Sequence, residues 1–84
     1  NSLDFSKMIH LDFLDMSQNK LIEIKAKYFE HNSLLTNLFL GDNSIYSIER
    51  SAFRDLHQLQ FLNLSFNRIE YFGQDLFDYD LIES

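Results

Sequence analysis

The 84-residue sequence contains no cysteine, only two glycines and few basic residues. Without cysteine the chain has no disulfide framework, no thiolate metal site and no cysteine nucleophile, and it carries no redox indication of its compartment. Gly41 and Gly73 are too few to build a glycine-rich phosphate-binding loop. Seven lysines and arginines against thirteen aspartates and glutamates give a net charge of −6, which disfavours nucleic acid and anionic lipid as partners.

Long apolar runs are also absent from the sequence. No uninterrupted stretch approaches the roughly 20 apolar residues of a membrane-spanning helix, so we expect no direct membrane insertion of this segment. No basic stretch followed by a long apolar region opens the chain, so no signal peptide is visible. The composition is nevertheless 45% hydrophobic with nine phenylalanines, which predicts a folded chain of one domain at most.

A period of 24 residues runs through the chain. Asparagine recurs at this spacing, at Asn19, Asn43 and Asn67. The surrounding eleven residues also recur, over 11–21, 35–45 and 59–69. Each copy reads L-x-x-L-x-L-x-x-N-x-L, with Met16 in place of one leucine and isoleucine at the last position of the second and third copies. Such self-similarity is the sequence signature of a repeat architecture.

This segment resembles the leucine-rich repeat family, whose pattern it matches in all three copies. Ten residues after each asparagine stands a phenylalanine, and a fourth has the same spacing: Phe5, Phe29, Phe53 and Phe77. The layout is similar to the 24-residue class found mostly in extracellular proteins, such as Toll-like receptor ectodomains and secreted insect immune proteins. It divides the single segment 1–84 into a partial repeat 1–10, full repeats 11–34, 35–58 and 59–82, and the start of another at 83–84.

The resemblance implies an α/β solenoid with short parallel strands on a concave face and irregular or short helical turns on the convex side. The alternation Leu14-Asp15-Met16 and its two equivalents independently predicts short strands with one buried face. Convex turns are expected around 26–32, 51–56 and 74–77. The sequence begins midway through a repeat and lacks cysteine-rich caps. We therefore expect a fragment of a longer solenoid that is not a stable monomer by itself.

Two sets of recurring residues have predicted structural roles. The asparagines at Asn19, Asn43 and Asn67 are expected to form a ladder that pairs backbone groups left open by the turn after each strand. The phenylalanines at Phe5, Phe29, Phe53 and Phe77 are expected to stack as a buried spine inside the convex wall. The alternatives are a functional asparagine or a cofactor site lined by the rings. The repeat pattern predicts no open cavity, so we expect no cofactor.

Candidate binding residues lie on the exposed strand face. Four aromatic rings are predicted to point away from the core: Phe13, Phe39, Phe61 and Phe66. The polar candidates beside them are Asp15, Asn37, Asp42 and Asn63. An apolar patch with a polar rim is typical of a protein-binding centre, and the alternative is that the rings stack across strands and shield the backbone. The sequon Asn63-Leu64-Ser65 also predicts an N-glycosylation site if the chain is secreted.

Catalysis finds little support in the sequence. His10, His31 and His57 occupy different repeat positions, so we predict no metal site, no catalytic residue and no enzyme. The resemblance implies a recognition module of a leucine-rich repeat receptor or a secreted innate-immune-type glycoprotein, which binds through its concave face or its flank, in an extracellular or cell-surface ectodomain. Its implied partners are a protein or microbial ligand, or another leucine-rich repeat chain in a homodimer or heterodimer. The alternative is an intracellular scaffold for protein–protein interaction.

Overall fold

The computed structural model describes residues 10–76, which form six short strands and one 3₁₀ helix. In chain order these are β1 Phe13–Asp15, β2 Glu23–Ile24, the 3₁₀ helix Ala26–Phe29, β3 Asn37–Phe39, β4 Ser47–Ile48, β5 Phe61–Asn63 and β6 Tyr71–Phe72. Each repeat therefore contributes one three-residue strand from its first half and one two-residue strand from its second half.

The strands pair into two parallel sheets, ordered β1-β3-β5 and β2-β4-β6. Leu38 is aligned with the equivalent leucines Leu14 and Leu62, one repeat away on either side. Ile48 is aligned in the same way with Ile24 and Phe72 in the second sheet. The predicted short parallel strands are confirmed, because the 24-residue period sets the register of both sheets.

The core is formed by inward side chains of both sheets and of the outer turns. The sheets contribute the fully buried side chains of Leu38 and Ile48, and an outer turn contributes the fully buried ring of Phe53. In the outer repeats, Leu14 and Leu62 pack against the same core but are only partly buried. The difference follows from stacking, because β3 has a neighbouring strand on both sides and each outer strand of the sheet has one.

The second sheet was not predicted from the sequence, which indicated only an irregular return along the outer wall. Its strands are held across repeats by ladder bonds such as Glu49 N–H to Ile24 O at 2.8 Å and Gly73 N–H to Ile48 O at 2.7 Å. Two residues are too few to display a period-two pattern. The available signal was the recurrence of an apolar residue at Ile24, Ile48 and Phe72.

The outer turns differ between repeats and contain no α-helix within residues 10–76, so the α part of the expected α/β fold is reduced to one 3₁₀ turn. The first repeat has that 3₁₀ helix at Ala26–Phe29, whereas the second has hydrogen-bonded turns over 50–55. Ser51 has φ 62° and Asp75, one repeat later, has φ 53°. Because a left-handed residue interrupts a right-handed helix, turns replace a helix at these positions. The predicted turn 74–77 extends beyond the described residues.

Candidate functional site

The outward side chains of β1, β3 and β5 make up one exposed surface, here called the strand face. It consists of two rows set by the parallel register: Phe13, Asn37 and Phe61 in the first, and Asp15, Phe39 and Asn63 in the second. Successive side chains of a strand point to opposite sides. The leucine between the two rows of each strand therefore faces the core.

Three phenylalanine rings form a zigzag across the strand face, with Phe39 in one row and Phe13 and Phe61 in the other. The ring centroid of Phe39 lies 5.1 Å from that of Phe13 and 5.2 Å from that of Phe61, with tilted planes. Phe13 and Phe61 are 54% and 49% exposed, whereas Phe39 is half-buried. Phe39 points away from the core as predicted, but it is half-buried because the flanking rings cover part of it. The three rings, here called the ring strip, stack across strands and still present a continuous apolar surface.

Phe66 does not extend the ring strip. It lies in the turn after β5, its ring is 80% exposed, and the ring contacts within residues 10–76 join Phe13, Phe39 and Phe61 without it. Its φ of 57° matches those of the equivalent residues Gln18 and Asp42, at 57° and 54°. The predicted four-ring patch is thus corrected to a strip of three. Phe66 and Asp42 lie in the left-handed turns that follow β5 and β3, because each strand ends three residues before them.

Asp15 and Asn63 make equivalent hydrogen bonds at the ends of β1 and β5. The backbone N–H of Ser17 donates to Asp15 Oδ1 at 2.9 Å, and the Ser17 hydroxyl donates to the same oxygen. Ser65 donates likewise to Asn63 Oδ1, from its N–H at 2.8 Å and its hydroxyl at 2.6 Å. The bonds from the Ser17 hydroxyl and N–H hold the pKa of the Asp15 carboxyl below its ordinary value. Asp15 is therefore an ionised group beside the ring strip.

Asn37 and Asn63 are both half-buried rather than fully exposed. Asn37 Oδ1 accepts a hydrogen bond from the hydroxyl of Thr36 at 2.8 Å. The side chain of Asn63 lies directly beside Phe39 in the register. The N-glycosylation of Asn63 stays a prediction, and a glycan there would cover part of the ring strip.

The asparagine side chains bridge neighbouring repeats. Asn43 Oδ1 accepts hydrogen bonds from the backbone N–H groups of Asn19 and Leu21, each at 3.1 Å. Asn43 Nδ2 donates to the carbonyl oxygens of Met16 at 3.0 Å and Leu40 at 3.1 Å. One side chain thus pairs backbone groups in its own turn and in the preceding repeat, where the bend leaves them without ladder partners.

Asn67 repeats this arrangement one step along the chain. Its Oδ1 accepts from Ile45 N–H at 3.0 Å, and its Nδ2 donates to Leu40 O at 2.9 Å. The Nδ2 of Asn19 donates to the carbonyl oxygen of Met16 at 2.9 Å. Asn43 and Asn67 therefore tie their turns to the preceding repeat, whereas the described bonds of the Asn19 side chain lie within its own turn.

Phe29 and Phe53 stack inside the outer turns. Both rings are 1% exposed, and their centroids are 6.2 Å apart with an interplanar angle of 25°. Tyr28 meets Phe29 edge to face at 6.3 Å. The two other residues of the predicted spine, Phe5 and Phe77, lie outside the described residues.

The three histidines predicted to lie on the surface do not come together into one site. His10, His31 and His57 are all exposed, and His31 Nε2 lies 3.6 Å from a carboxylate oxygen of Glu30. Residues 10–76 include no group of three or more histidine, cysteine, aspartate or glutamate side chains placed to hold a metal ion. The same residues include no helix that is long and apolar enough to cross a membrane.

Residues 9–69 match the family model described as leucine rich repeat. The chain belongs to the leucine-rich repeat family. Membership implies a solenoid-like repeat fold, and the two stacked parallel sheets are a short stretch of such a fold. A leucine-rich repeat domain also suggests a protein-binding recognition module.

Several curated proteins are similar to this leucine-rich repeat chain. Leucine-rich repeat-containing protein 66 of Homo sapiens is 38% identical over 63 residues, which are 75% of the chain and 7% of that protein. The transforming growth factor beta activator LRRC33 of Danio rerio is 39% identical over 64 residues, 75% of the chain and 9% of that protein. Toll-like receptor 9 of Ovis aries is 38% identical over 69 residues, 80% of the chain and 7% of that protein.

The chain thus spans less than a tenth of the length of each of these three relatives. No solved structure matches the chain.

Proposed function

We propose that this leucine-rich repeat chain is a non-enzymatic recognition module that binds a protein ligand through its strand face. The observation that carries the proposal is the ring strip, in which Phe39 contacts Phe13 at 5.1 Å and Phe61 at 5.2 Å. Contiguous apolar surface with polar neighbours marks interaction sites, and buried aromatic anchors dominate their binding energy. The repeats are held together by other residues, namely the bridging asparagines and the buried, stacked Phe29 and Phe53. The three rings of the ring strip therefore contribute less to the fold than the core does.

The finer proposal is that the chain comes from a receptor or a secreted innate-immune-type protein, with its ligand of protein or microbial origin. Its support is the similarity to a Toll-like receptor and to a protein named as a transforming growth factor beta activator. We propose an extracellular or cell-surface location on the same basis. Antibody labelling of intact, unpermeabilised cells tests it, and labelling only after permeabilisation would favour the intracellular scaffold.

The binding test uses a display library of random twelve-residue peptides, selected on the immobilised chain. The double variant Phe13→Ser with Phe61→Ser removes the two half-exposed rings of the ring strip. We expect it to weaken the selected peptides by about 30-fold, which corresponds to the roughly 2 kcal/mol of a hot spot. Circular dichroism checks that the variant is folded.

The second sheet supplies a matched aromatic control. Tyr46 and Tyr71 are 45% and 63% exposed and meet edge to face at 6.3 Å. The double variant Tyr46→Ser with Tyr71→Ser should keep the affinity of the wild type. Loss of binding in this control, with the ring-strip variant unaffected, would place the binding surface on the second sheet and contradict the proposal.

A further inference from the structure

The strand face and its adjoining turns carry charge of one sign. The segments 12–18, 36–42 and 60–66 contain three aspartates, Asp12, Asp15 and Asp42, and no lysine, arginine, histidine or glutamate. These 21 residues, a quarter of the 84, account for −3 of the net charge of −6. The surface around the ring strip is therefore both apolar and negative.

Two basic side chains are paired away from this surface. Lys25 Nζ lies 3.6 Å from a carboxylate oxygen of Glu23, beside the second sheet. Arg50 donates to Asp75 Oδ2 at 3.2 Å on the outer turns. Lys20 and Arg68 lie two residues beyond the segments, so the segments themselves stay negative and a basic partner complements their charge.

Asp15 is the carboxylate best placed to act together with the rings. It is the register partner of Phe39 and lies two residues from Phe13 on the same side of β1. Neighbouring strands are about 4.8 Å apart, so a cation over these two rings is also within reach of the Asp15 carboxylate. The hydrogen bonds from Ser17 fix that carboxylate in place.

We propose that the strand face selects a protein segment carrying a basic side chain, arginine before lysine, which lies over the rings of Phe13 and Phe39 and pairs with Asp15. The inference rests on the proposed function and names the chemistry of the partner. An arginine guanidinium is planar, so it stacks on aromatic rings and donates to a carboxylate in one placement. An apolar segment alone would bury the Asp15 carboxylate without an opposite charge, and an acidic segment would be repelled.

The equivalent position in another repeat shows which substitution of Asp15 preserves the local hydrogen bonds. Asn63 already makes with Ser65 the hydrogen bonds that Asp15 makes with Ser17. Asp15→Asn therefore keeps the end of β1 intact and removes only the charge. Asp55→Asn is the matched control, because Asp55 is exposed on an outer turn.

The test reads the sequences and affinities of the peptides selected from the random library. We expect arginine, and less often lysine, to be enriched beside apolar residues. Asp15→Asn should weaken these peptides by about three- to tenfold at low salt, and the difference should shrink at about 0.5 M NaCl. Asp55→Asn should leave the affinity unchanged. Replacing the selected arginine by neutral citrulline should cause a similar loss, to which Asp15→Asn adds little.

The contrary results distinguish failure of this inference alone from failure of the proposed function as well. Peptides that need Phe13 and Phe61 but lack basic residues, or that ignore Asp15→Asn, would overturn the inference and leave the strand face as the binding surface. Peptides that bind the Phe13→Ser, Phe61→Ser variant as well as the wild type would overturn both. A library that yields no binding peptide at all would also overturn both.

Discussion

The side-chain oxygen of Asn43 accepts a hydrogen bond from the backbone N–H of Asn19, 24 residues earlier, at 3.1 Å. Its amide nitrogen donates to Met16 O at 3.0 Å in the same preceding repeat. A single polar side chain therefore ties one repeat to the next at the turn after the strand. Because backbone groups at such a bend have no ladder partner, the asparagine is a structural part of the repeat rather than a binding residue.

Replacing Asn43 by Ala should lower the free energy of unfolding by about 1–3 kcal/mol, because it leaves several partly buried backbone groups without hydrogen bonds. Chemical denaturation monitored by circular dichroism measures the change. Ser44→Ala, at the exposed neighbouring position, is the control and should shift the midpoint little. Equal midpoints for the two variants would contradict the structural role of Asn43.

Truncating Phe53 to Ala should destabilise the chain by about 3–5 kcal/mol, because a ring that is 1% exposed and stacked on Phe29 leaves a cavity. Phe66→Ala, which removes a ring that is 80% exposed, should change the free energy of unfolding by less than about 0.5 kcal/mol. Thermal melting of both variants tests this contrast. A larger loss for Phe66→Ala would reverse the assignment of core and surface.

Gly73→Ala should cost about 1–3 kcal/mol of unfolding free energy. A Cβ at Gly73 would lie 2.3 Å from Arg50 N and 2.5 Å from Arg50 Cα, so backbone atoms of the neighbouring repeat would have to move. At Gly41 an added Cβ would lie 3.3 Å from Asn63 Oδ1, and Ser17 occupies the equivalent position of another repeat. Urea denaturation should therefore show a smaller loss for Gly41→Ala, and the opposite order would contradict the close approach at Gly73.

Ser17→Ala should raise the pKa of the Asp15 carboxyl toward its ordinary value, because it removes the hydroxyl that stabilises the ionised form. A carboxyl whose folded-state pKa is lowered contributes stability above its unfolded-state pKa and loses it as pH falls through the folded-state pKa. The electrostatic part of the stability deficit of Ser17→Ala should therefore be present at neutral pH and vanish in acid. Titration of the Asp15 carboxyl by NMR measures the shift. Ser65→Ala, beside the non-titrating Asn63, should leave it unchanged.

Part of the strand face could be read directly from residue order. The alternation around Leu14, Leu38 and Leu62 placed Phe13 and Phe61 outward, because a strand of known phase fixes the side on which each residue points. The half-burial of Phe39 could not be read in this way. It depends on contacts with rings from two other repeats, and a diagonal contact is a property of the twist and spacing of the strands.

The sequence by itself determined the repeat length, the register of the predicted strands β1, β3 and β5, and the family. The register follows because stacked repeats of equal length align equivalent residues. Only the tertiary structure decided that a second sheet exists, that Phe66 leaves the strand face on a left-handed turn, and that the rings of Phe13 and Phe61 half-bury Phe39. These features arise where residues about 24 positions apart come into contact. Local sequence preference is too weak to specify such contacts before the repeats have stacked.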